Sequence, residues 1–295
     1  MITAPRILIF DSGVGGLSIT ESIRAQHPHC SITYASDNAA FPYGTKDESE
    51  LVERVDTVLH TLQELSKADI LVVACNTAST VALPKIRERF QLPIIGVVPA
   101  IKPAAKVSES KVIGLLATPG TVSREYTKEL INKFAKDCTV IPLGSSELVK
   151  LAEEKLRCST NTVSPSFMQR LHTILEPLTH HPNMDTVVLA CTHFPLLRNE
   201  LTQILPSIKH WVDSGDAIAR RVGYWLDELG LSNPESVKTA SINTSTKKHY
   251  SLFTVDSETQ KDTQAHQGSV QLEIAQLEPA LSSRGLGDIR FVEIR

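Results

Sequence analysis

The sequence has little net charge and no long apolar run, and each absence excludes a class of protein. Its net charge is −3 over 295 residues, so no overall basic field is present for binding nucleic acid. No apolar run reaches the about 18 residues of a membrane span, so we expect no contact with a membrane. The N-terminal stretch MITAPRILIFDSG (1–13) lacks the cleavage site of a secretory signal, so we expect a cytoplasmic protein.

Cysteine is scarce as well, and its spacing excludes the common cysteine-rich sites. No two cysteines have CxxC spacing, and only the pair Cys191 and His193 approaches the clustering that zinc requires, so we predict no metal site. An odd number of cysteines in a reducing compartment argues against a disulfide framework. The five cysteines are Cys30, Cys75, Cys138, Cys158 and Cys191.

What is present indicates a globular α/β protein. Hydrophobic residues make up 41% of the chain and charged residues 21%, and 295 residues exceed the usual size of one domain. Short β-branched runs alternate with longer amphipathic stretches, as where RILIF (6–10) precedes GGLSITESIRAQ (15–26). Such alternation predicts mostly parallel sheets that are covered by helices on both faces.

Two pairs of segments indicate that the chain contains two similar halves. DILVVACNT (69–77) aligns without a gap with DTVVLACTH (185–193). Upstream, ILIFDSGVGG (7–16) parallels IGLLATPGTV (113–122). In each half a strand ends in a small polar turn, and a later strand ends in cysteine. We therefore predict two similar three-layer α/β domains that are related by a pseudo-twofold axis.

The predicted boundaries make the first domain discontinuous in sequence. It comprises residues 1–97 together with a C-terminal return, 212–295, and the second domain comprises residues 98–211. The tail from 232 onward is polar and carries no motif that indicates chemistry.

Cys75 and Cys191 occupy positions where a thiol can be chemically active. Both end predicted strands of parallel sheets, and ligands bind beyond the carboxyl ends of such strands. A helix N-terminus follows each cysteine, and its field lowers a thiol pKa. The structural alternative is a buried cysteine that acts as a small hydrophobe. Polar residues follow both cysteines where a core would hold Val or Leu, and this favours a functional pair.

Three further features have both a structural and a functional interpretation. Asp11 precedes the glycine-rich SGVGG and is either a turn cap or a carboxylate that orients a proton. The loop SDNAAFPYGTK (36–46), with Tyr43 and Gly44, is either a plain connection or a loop that holds substrate. His193 is either a satisfied structural group or an acid–base partner of Cys191.

Taken together, these stretches resemble the glutamate racemases of the aspartate/glutamate racemase superfamily. Phe194 stands where the family often has tyrosine. The resemblance covers residues 5–225 and leaves the polar tail uncovered. The matching segments, in the family's order, are FDSGVGGLSI (10–19), SDNAAFPYGTK (36–46), ACNTAS (74–79), GVVPAIKPA (96–104), ACTHFPLL (190–197) and VDSGDAIARRV (212–222).

The resemblance implies a reaction that needs no cofactor and uses one cysteine from each domain, in a cleft between the domains. Inverting a Cα centre requires a base on one face and an acid on the other. By resemblance, Cys75 removes the proton from D-glutamate with help from Asp11, and Cys191 removes it from L-glutamate with help from His193. The residues that the resemblance assigns to substrate binding are Asp11, Ser12, Tyr43, Gly44, Asn76, Thr77, Thr192 and His193. Further candidates near the site are Asp37, Glu147, Thr118 and Thr121.

The resemblance also implies partners, while the residues leave other functions open. We expect glutamate as substrate, D-glutamate supply for peptidoglycan as the role, a homodimer as the assembly, and a UDP-linked peptidoglycan precursor as an activator, which some bacterial members require. One alternative is a related racemase that acts on aspartate or a hydantoin. Another is a non-catalytic two-domain protein that closes on an anionic metabolite.

Overall fold

This computed structural model describes residues 4–158, 163–232, 249–256 and 271–294. The strands in these ranges are β1 (Arg6–Asp11), β2 (Ser31–Ser36), β3 (Ile70–Val73), β4 (Ile94–Gly96), β5 (Val112–Ala117), β6 (Thr139–Gly144), β7 (Thr186–Leu189), β8 (His210–Val212), β9 (Tyr250–Asp256) and β10 (Ile289–Ile294). The α-helices are α1 (Leu17–Gln26), α2 (Glu48–Ser66), α3 (Asn76–Arg89), α4 (Ile101–Val107), α5 (Pro119–Ser123), α6 (Glu125–Phe134), α7 (Glu147–Arg157), α8 (Pro165–Thr179), α9 (Arg198–Ile204), α10 (Gly215–Glu228) and α11 (Glu278–Ser282). Short 3₁₀ helices occur at Asn38–Ala40, Tyr43–Thr45 and Phe194–Leu197.

The strands form two sheets with matching topology. The first has the order β10-β9-β2-β1-β3-β4, and the second has the order β6-β5-β7-β8. The order β2-β1-β3-β4 therefore recurs as β6-β5-β7-β8, with each strand replaced by the one four later. All strand pairings in the described ranges are parallel. The predicted α/β class with two similar parallel-sheet units is confirmed.

The first sheet is extended and covered by the C-terminal part of the chain. Strand β9 adds to β2, and β10 adds to β9. Helix α10 packs on α1, where Ile218, Ala219 and Val222 share one buried cluster with Ile19 and Ile23. This packing agrees with a return of the chain to the first half after β8, although the predicted domain boundaries stay a prediction.

The long helix α2 shows how the sequence sets the local structure. Asp47 caps its first turn by accepting a hydrogen bond from the Ser49 N–H at 2.9 Å. Leu51, Val55 and Leu62 recur at helical spacing and are buried against the first sheet. None of the helices in the described part of the chain has both the length and the apolar character needed to cross a membrane.

Equivalent aspartates tie together the starts of the central strands. Asp69, just before β3, accepts the Arg6 N–H at 2.8 Å and pairs with the Arg6 guanidinium. Asp185, just before β7, is buried beneath β5. Although burial raises the pKa of Asp185, hydrogen bonds hold that pKa well below its ordinary value. The donors to Asp185 are the backbone N–H of Ser110, the Ser108 hydroxyl, the Thr186 hydroxyl and the backbone N–H of Glu109.

We expect Asp185→Asn to lower the free energy of unfolding by about 2 kcal/mol at neutral pH, because the amide cannot replace a buried charged acceptor. The pKa of Asp185 is depressed in the folded state, so its contribution is complete above its unfolded pKa of about 3.9 and is lost as the pH falls below that value. Thermal melts of both proteins at neutral pH and at about pH 2.5, well below the unfolded pKa, test this. The exposed Asp137→Asn is the control, and an equal loss at both pH values would contradict the assignment.

Candidate active site

The carboxyl ends of β1, β3, β5 and β7 face one another across a small cavity between the two halves. Its free volume is about 20 Å³, which is room for a single water molecule. Most of the predicted site residues line it together: Asp11, Ser12, Tyr43, Gly44, Cys75, Asn76, Thr77, Thr118, Cys191, Thr192 and His193. Four lining residues were not predicted from the sequence: Pro42, Thr45, Ser146 and Val149.

Cys75 lies at the N-cap of α3, and the backbone of Ala78 in the first turn contacts its sulfur. The Ser12 hydroxyl is 3.7 Å from Cys75 Sγ. Burial, together with the nearby charge of Asp11, raises the pKa of the Cys75 thiol to about 12. Cys75 is 6% exposed. In this conformation Cys75 is therefore held as a thiol, ready to donate a proton.

Cys191 lies after β7 and has a different neighbour. His193 Nδ1 is 3.8 Å from Cys191 Sγ, and His193 Nε2 is 2.8 Å from Glu153 Oε1. Burial lowers the pKa of His193, but its contacts with Cys191 and Glu153 raise that pKa well above its ordinary value. These contacts with Cys191 and Glu153 favour the protonated form of His193.

Glu153 is an acidic residue beside the cavity that the sequence did not predict. It extends from α7, is 2% exposed, and its Oε1 also accepts the backbone N–H of Val14 at 2.8 Å. Burial raises the pKa of Glu153, but hydrogen bonding and charge from His193, and the charge of Arg157, leave it lower than usual. The sequence did contain a pattern that could have indicated Glu153. It stands four residues after Val149, so the helical repeat places it on the buried face of α7.

Asp11, in the first half, accepts a hydrogen bond from the second half, just as Glu153, in the second half, accepts one from the first. The Thr192 hydroxyl donates to Asp11 Oδ2 at 2.8 Å, and the Gly13 N–H donates to Oδ1 at 3.1 Å. Burial raises the pKa of Asp11, while the charge of His193 and these hydrogen bonds lower it, and the net direction is upward. Asp11 thus lies on the Cys75 side but receives a donor from the Cys191 side.

The glycine-rich loop after β1 permits this close approach. A Cβ on Gly15 would lie 2.5 Å from His193 Nδ1 and 2.6 Å from Thr192 Oγ1. A Cβ on Gly13 would overlap Glu153 Oε1. Only glycine therefore lets the loop of the first half reach the acid–base groups of the second.

Asp37 is buried but does not line the cavity. Arg54 holds it with two hydrogen bonds, at 2.9 Å to Oδ2 and 2.7 Å to Oδ1. The Tyr43 hydroxyl donates to Oδ2 and the Thr254 hydroxyl, from β9, donates to Oδ1, each at 2.5 Å. Asp37 thus fixes the side chain of Tyr43, and the tail strand β9 takes part in this support. Arg54 and Thr254 were not predicted from the sequence.

Two other candidates lie outside the cavity. Glu147 is on the outer side of α7, where it pairs with Arg170 at 2.6 Å, so the structure does not bring it to the site. Thr121 is buried behind Thr118, whose hydroxyl accepts the Thr121 N–H as the N-cap of α5. Within the described ranges, His, Cys, Asp and Glu side chains form no group of three or more that could hold a metal ion.

Comparisons with known proteins all find similarity to amino-acid racemases. The model of the Asp/Glu/Hydantoin racemase family matches residues 17–222. A glutamate racemase of Actinobacillus pleuropneumoniae serotype 5b is 49% identical over 234 residues, which are 79% of this chain and 86% of that protein. One of Salmonella paratyphi A is 53% identical over 224 residues, 76% of this chain and 77% of that protein. The crystal structure of Escherichia coli glutamate racemase with L-glutamate and the activator UDP-MurNAc-Ala aligns with a TM-score of 0.83 at 42% identity, covering 99% of each chain.

Proposed function

The chain belongs to the Asp/Glu/hydantoin racemase family and, within it, to the glutamate racemases, and we propose that it passes the Cα proton of glutamate between Cys75 and Cys191. One observation carries this mechanism. The two cysteines follow equivalent strands, β3 and β7, of two sheets that share the order of four strands, and they line one cavity from opposite halves. A reaction that inverts a carbon needs an acid–base group on each face.

With L-glutamate, the Cys191 thiolate takes the Cα proton and the Cys75 thiol delivers a proton to the opposite face. With D-glutamate the roles are exchanged. The surroundings of the thiols support this assignment, because the protonated form of His193 is favoured 3.8 Å from the Cys191 sulfur and burial beside Asp11 favours the thiol form of Cys75. The substrate's ammonium group near Asp11 would offset the carboxylate charge and make a thiolate at Cys75 less costly.

Substrate binding relies on neutral donors and helix N-termini. Among the described residues that line the cavity, none is an arginine or a lysine. The N-terminus of α3, with Asn76 and Thr77, presents backbone and side-chain donors to a carboxylate. The side-chain oxygen of Asn76 is buried and has no hydrogen-bond partner among the described residues, so this acceptor is available to the substrate's ammonium group.

The cavity has room for little more than one water molecule, so we infer that the two halves separate to admit glutamate and close again around it. Closure would exclude water and strengthen each of these electrostatic contacts during the transfer. The contacts between the halves, Thr192 to Asp11 and Val14 to Glu153, are the ones that closure completes.

The direct test uses circular dichroism. We expect purified protein, without added cofactor, to bring the signal of either L- or D-glutamate to zero. In deuterated water, deuterium should enter at Cα as the enantiomer forms. Inversion without exchange would contradict proton transfer to the thiols. Parallel assays with L- and D-aspartate separate a glutamate enzyme from a relative with another substrate, and ligand-induced stabilisation without turnover would indicate a binding protein.

We propose a UDP-linked peptidoglycan precursor as activator, which is the ligand class present in the Escherichia coli structure. A groove of about 750 Å³ between β4 and α10 supports this, because Arg87, Arg221 and Trp225 offer cations and an aromatic surface to a nucleotide diphosphate. Initial rates with the precursor, and with UDP alone as the control, test the proposal. Equal rates with and without the precursor would contradict it.

The role and the setting follow from the same reaction. D-glutamate supply for peptidoglycan is the proposed role, and the cytoplasm is the proposed compartment because the two thiols must stay reduced. The homodimer expected from the resemblance stays a prediction, and light scattering of the purified protein would test it.

A further inference from the structure

Arg157 lies at the last turn of α7, one turn beyond Glu153, and reaches back to it. Its Nη2 is 3.0 Å from Glu153 Oε2. The side chain of Arg157 is 22% exposed and that of Glu153 is 3% exposed. The two oxygens of Glu153 therefore have separate tasks, since Oε1 contacts His193 and Val14 while Oε2 contacts the arginine.

We propose that Arg157 is a positioning residue for the Cys191 half of the reaction. It holds Glu153 as a carboxylate against His193, and through these two residues it sets the charge beside the Cys191 sulfur. This inference rests on the proposed two-cysteine function. Arg157 does not line the cavity itself, so it acts only through Glu153.

The need for a cation follows from burial. A carboxylate removed from water is costly unless it is paired and hydrogen-bonded. His193 alone would leave one oxygen of Glu153 without a cation. The proton shared by Cys191, His193 and Glu153 could then settle on the carboxylate, which would leave a neutral imidazole beside the sulfur. Arg157 opposes that outcome because it favours the ionised form of Glu153.

The contact with Glu153 places part of the Arg157 guanidinium in an environment that does not satisfy its hydrogen-bond donors. Its Nε is buried and has no hydrogen-bond partner within the part of the chain that the structure describes. An ion pair at i,i+4 on an exposed helix face stabilises a helix only weakly, and it would not offset a buried donor that lacks a partner. This arrangement is expected where the arginine serves the site rather than the helix.

Other ionisable groups near Glu153 and His193 do not replace this cation. From the first half, Asp11 and Tyr34 face the pair, and an ionised Asp11 adds negative charge. From the second half, Cys191 adds negative charge as a thiolate. Lys155, two residues before Arg157 on α7, points away and pairs with Glu200 at 2.8 Å.

Lys155 supplies a matched control, because it lies on the same helix as Arg157 and its ion pair with Glu200 of α9 is similarly buried. We would measure kcat/KM for L-glutamate from about pH 6 to pH 10 with wild type, Arg157→Gln, Arg157→Lys and Lys155→Gln. We expect Arg157→Gln to shift the acidic limb upward by about 0.5–1 pH unit, which is about a 3- to 10-fold loss on that limb, with little loss at high pH. Arg157→Lys should restore most of the limb, and Lys155→Gln should leave its position unchanged.

A uniform loss at every pH, with the limb in place, would overturn the proposal and make Arg157 a structural residue. Thermal melts show whether each variant is folded. If Arg157→Gln is unfolded, the pH profile of Arg157→Lys is measured in its place. NMR titration of the His193 imidazole gives a readout that does not need turnover. If wild type fails to racemise glutamate but Arg157→Gln still lowers the pH at which His193 titrates, the proposed function fails and the positioning role stands. An unchanged His193 titration overturns the positioning role.

Discussion

Replacing Cys75 or Cys191 by alanine is expected to abolish racemisation in both directions. Each direction needs one thiolate and one thiol, so removing either sulfur removes the base for one enantiomer and the acid for the other. A positioned acid or base contributes about 10²–10⁴-fold. With one face of the carbon left without a proton donor, we expect a loss of about 10⁴-fold or more in the rate of change of the circular dichroism signal.

The same variants test which cysteine serves which enantiomer. In deuterated water, Cys75→Ala keeps the Cys191 thiolate, so slow exchange of the Cα proton of L-glutamate, without inversion, is expected. Cys191→Ala should instead exchange D-glutamate. Cys158→Ala, at an exposed thiol outside the cavity, is the control and should retain wild-type activity. Full racemisation by either active-site variant would sink the mechanism, and exchange of the opposite enantiomers would reverse the assignment.

Local patterns were sufficient to predict the repeated architecture. The segments 69–77 and 185–193 matched in sequence, and the structure places them at β3 and β7, which hold equivalent positions in their sheets. Apolar alternation and helical spacing report burial within one element, and a parallel sheet brings strand ends to one edge. The two cysteines could therefore be placed at sheet edges from the sequence alone.

Contacts between distant elements could not be predicted in the same way. Thr254 reaches Asp37 across 217 positions in the chain, and no local pattern marks such a pair. Spacing puts Val149, Glu153 and Arg157 on one face of α7, but it does not say what lies opposite that face. The sequence offered three acids on this helix, Glu147, Glu153 and Glu154, and Glu147 was predicted where the structure places Glu153 next to His193.

His193 lies beside Cys191 and Asp11 lies on the Cys75 side. Replacing either residue should change the deuterium isotope effect differently for L- and D-glutamate. We expect His193→Asn and Asp11→Asn each to lower kcat/KM by about 10²-fold, since each removes an acid–base partner from a buried thiol. Because L- and D-glutamate are equal in energy, kcat/KM must fall equally in the two directions. The asymmetry therefore appears in isotope effects rather than in rates.

Proton removal and proton delivery are separate steps. A deuterium at Cα lowers the measured rate only when its removal is the slower step. Without His193 the step at Cys191 becomes slower, so the isotope effect should rise with L-[2-²H]glutamate and fall with D-[2-²H]glutamate. Asp11→Asn should give the opposite pattern, because Asp11 faces Cys75 through Ser12. Asp185→Asn is the matched control, since Asp185 is buried at the other end of the strands. Equal changes for both enantiomers in both variants would mean that Asp11 and His193 support the fold of the site rather than one thiol each.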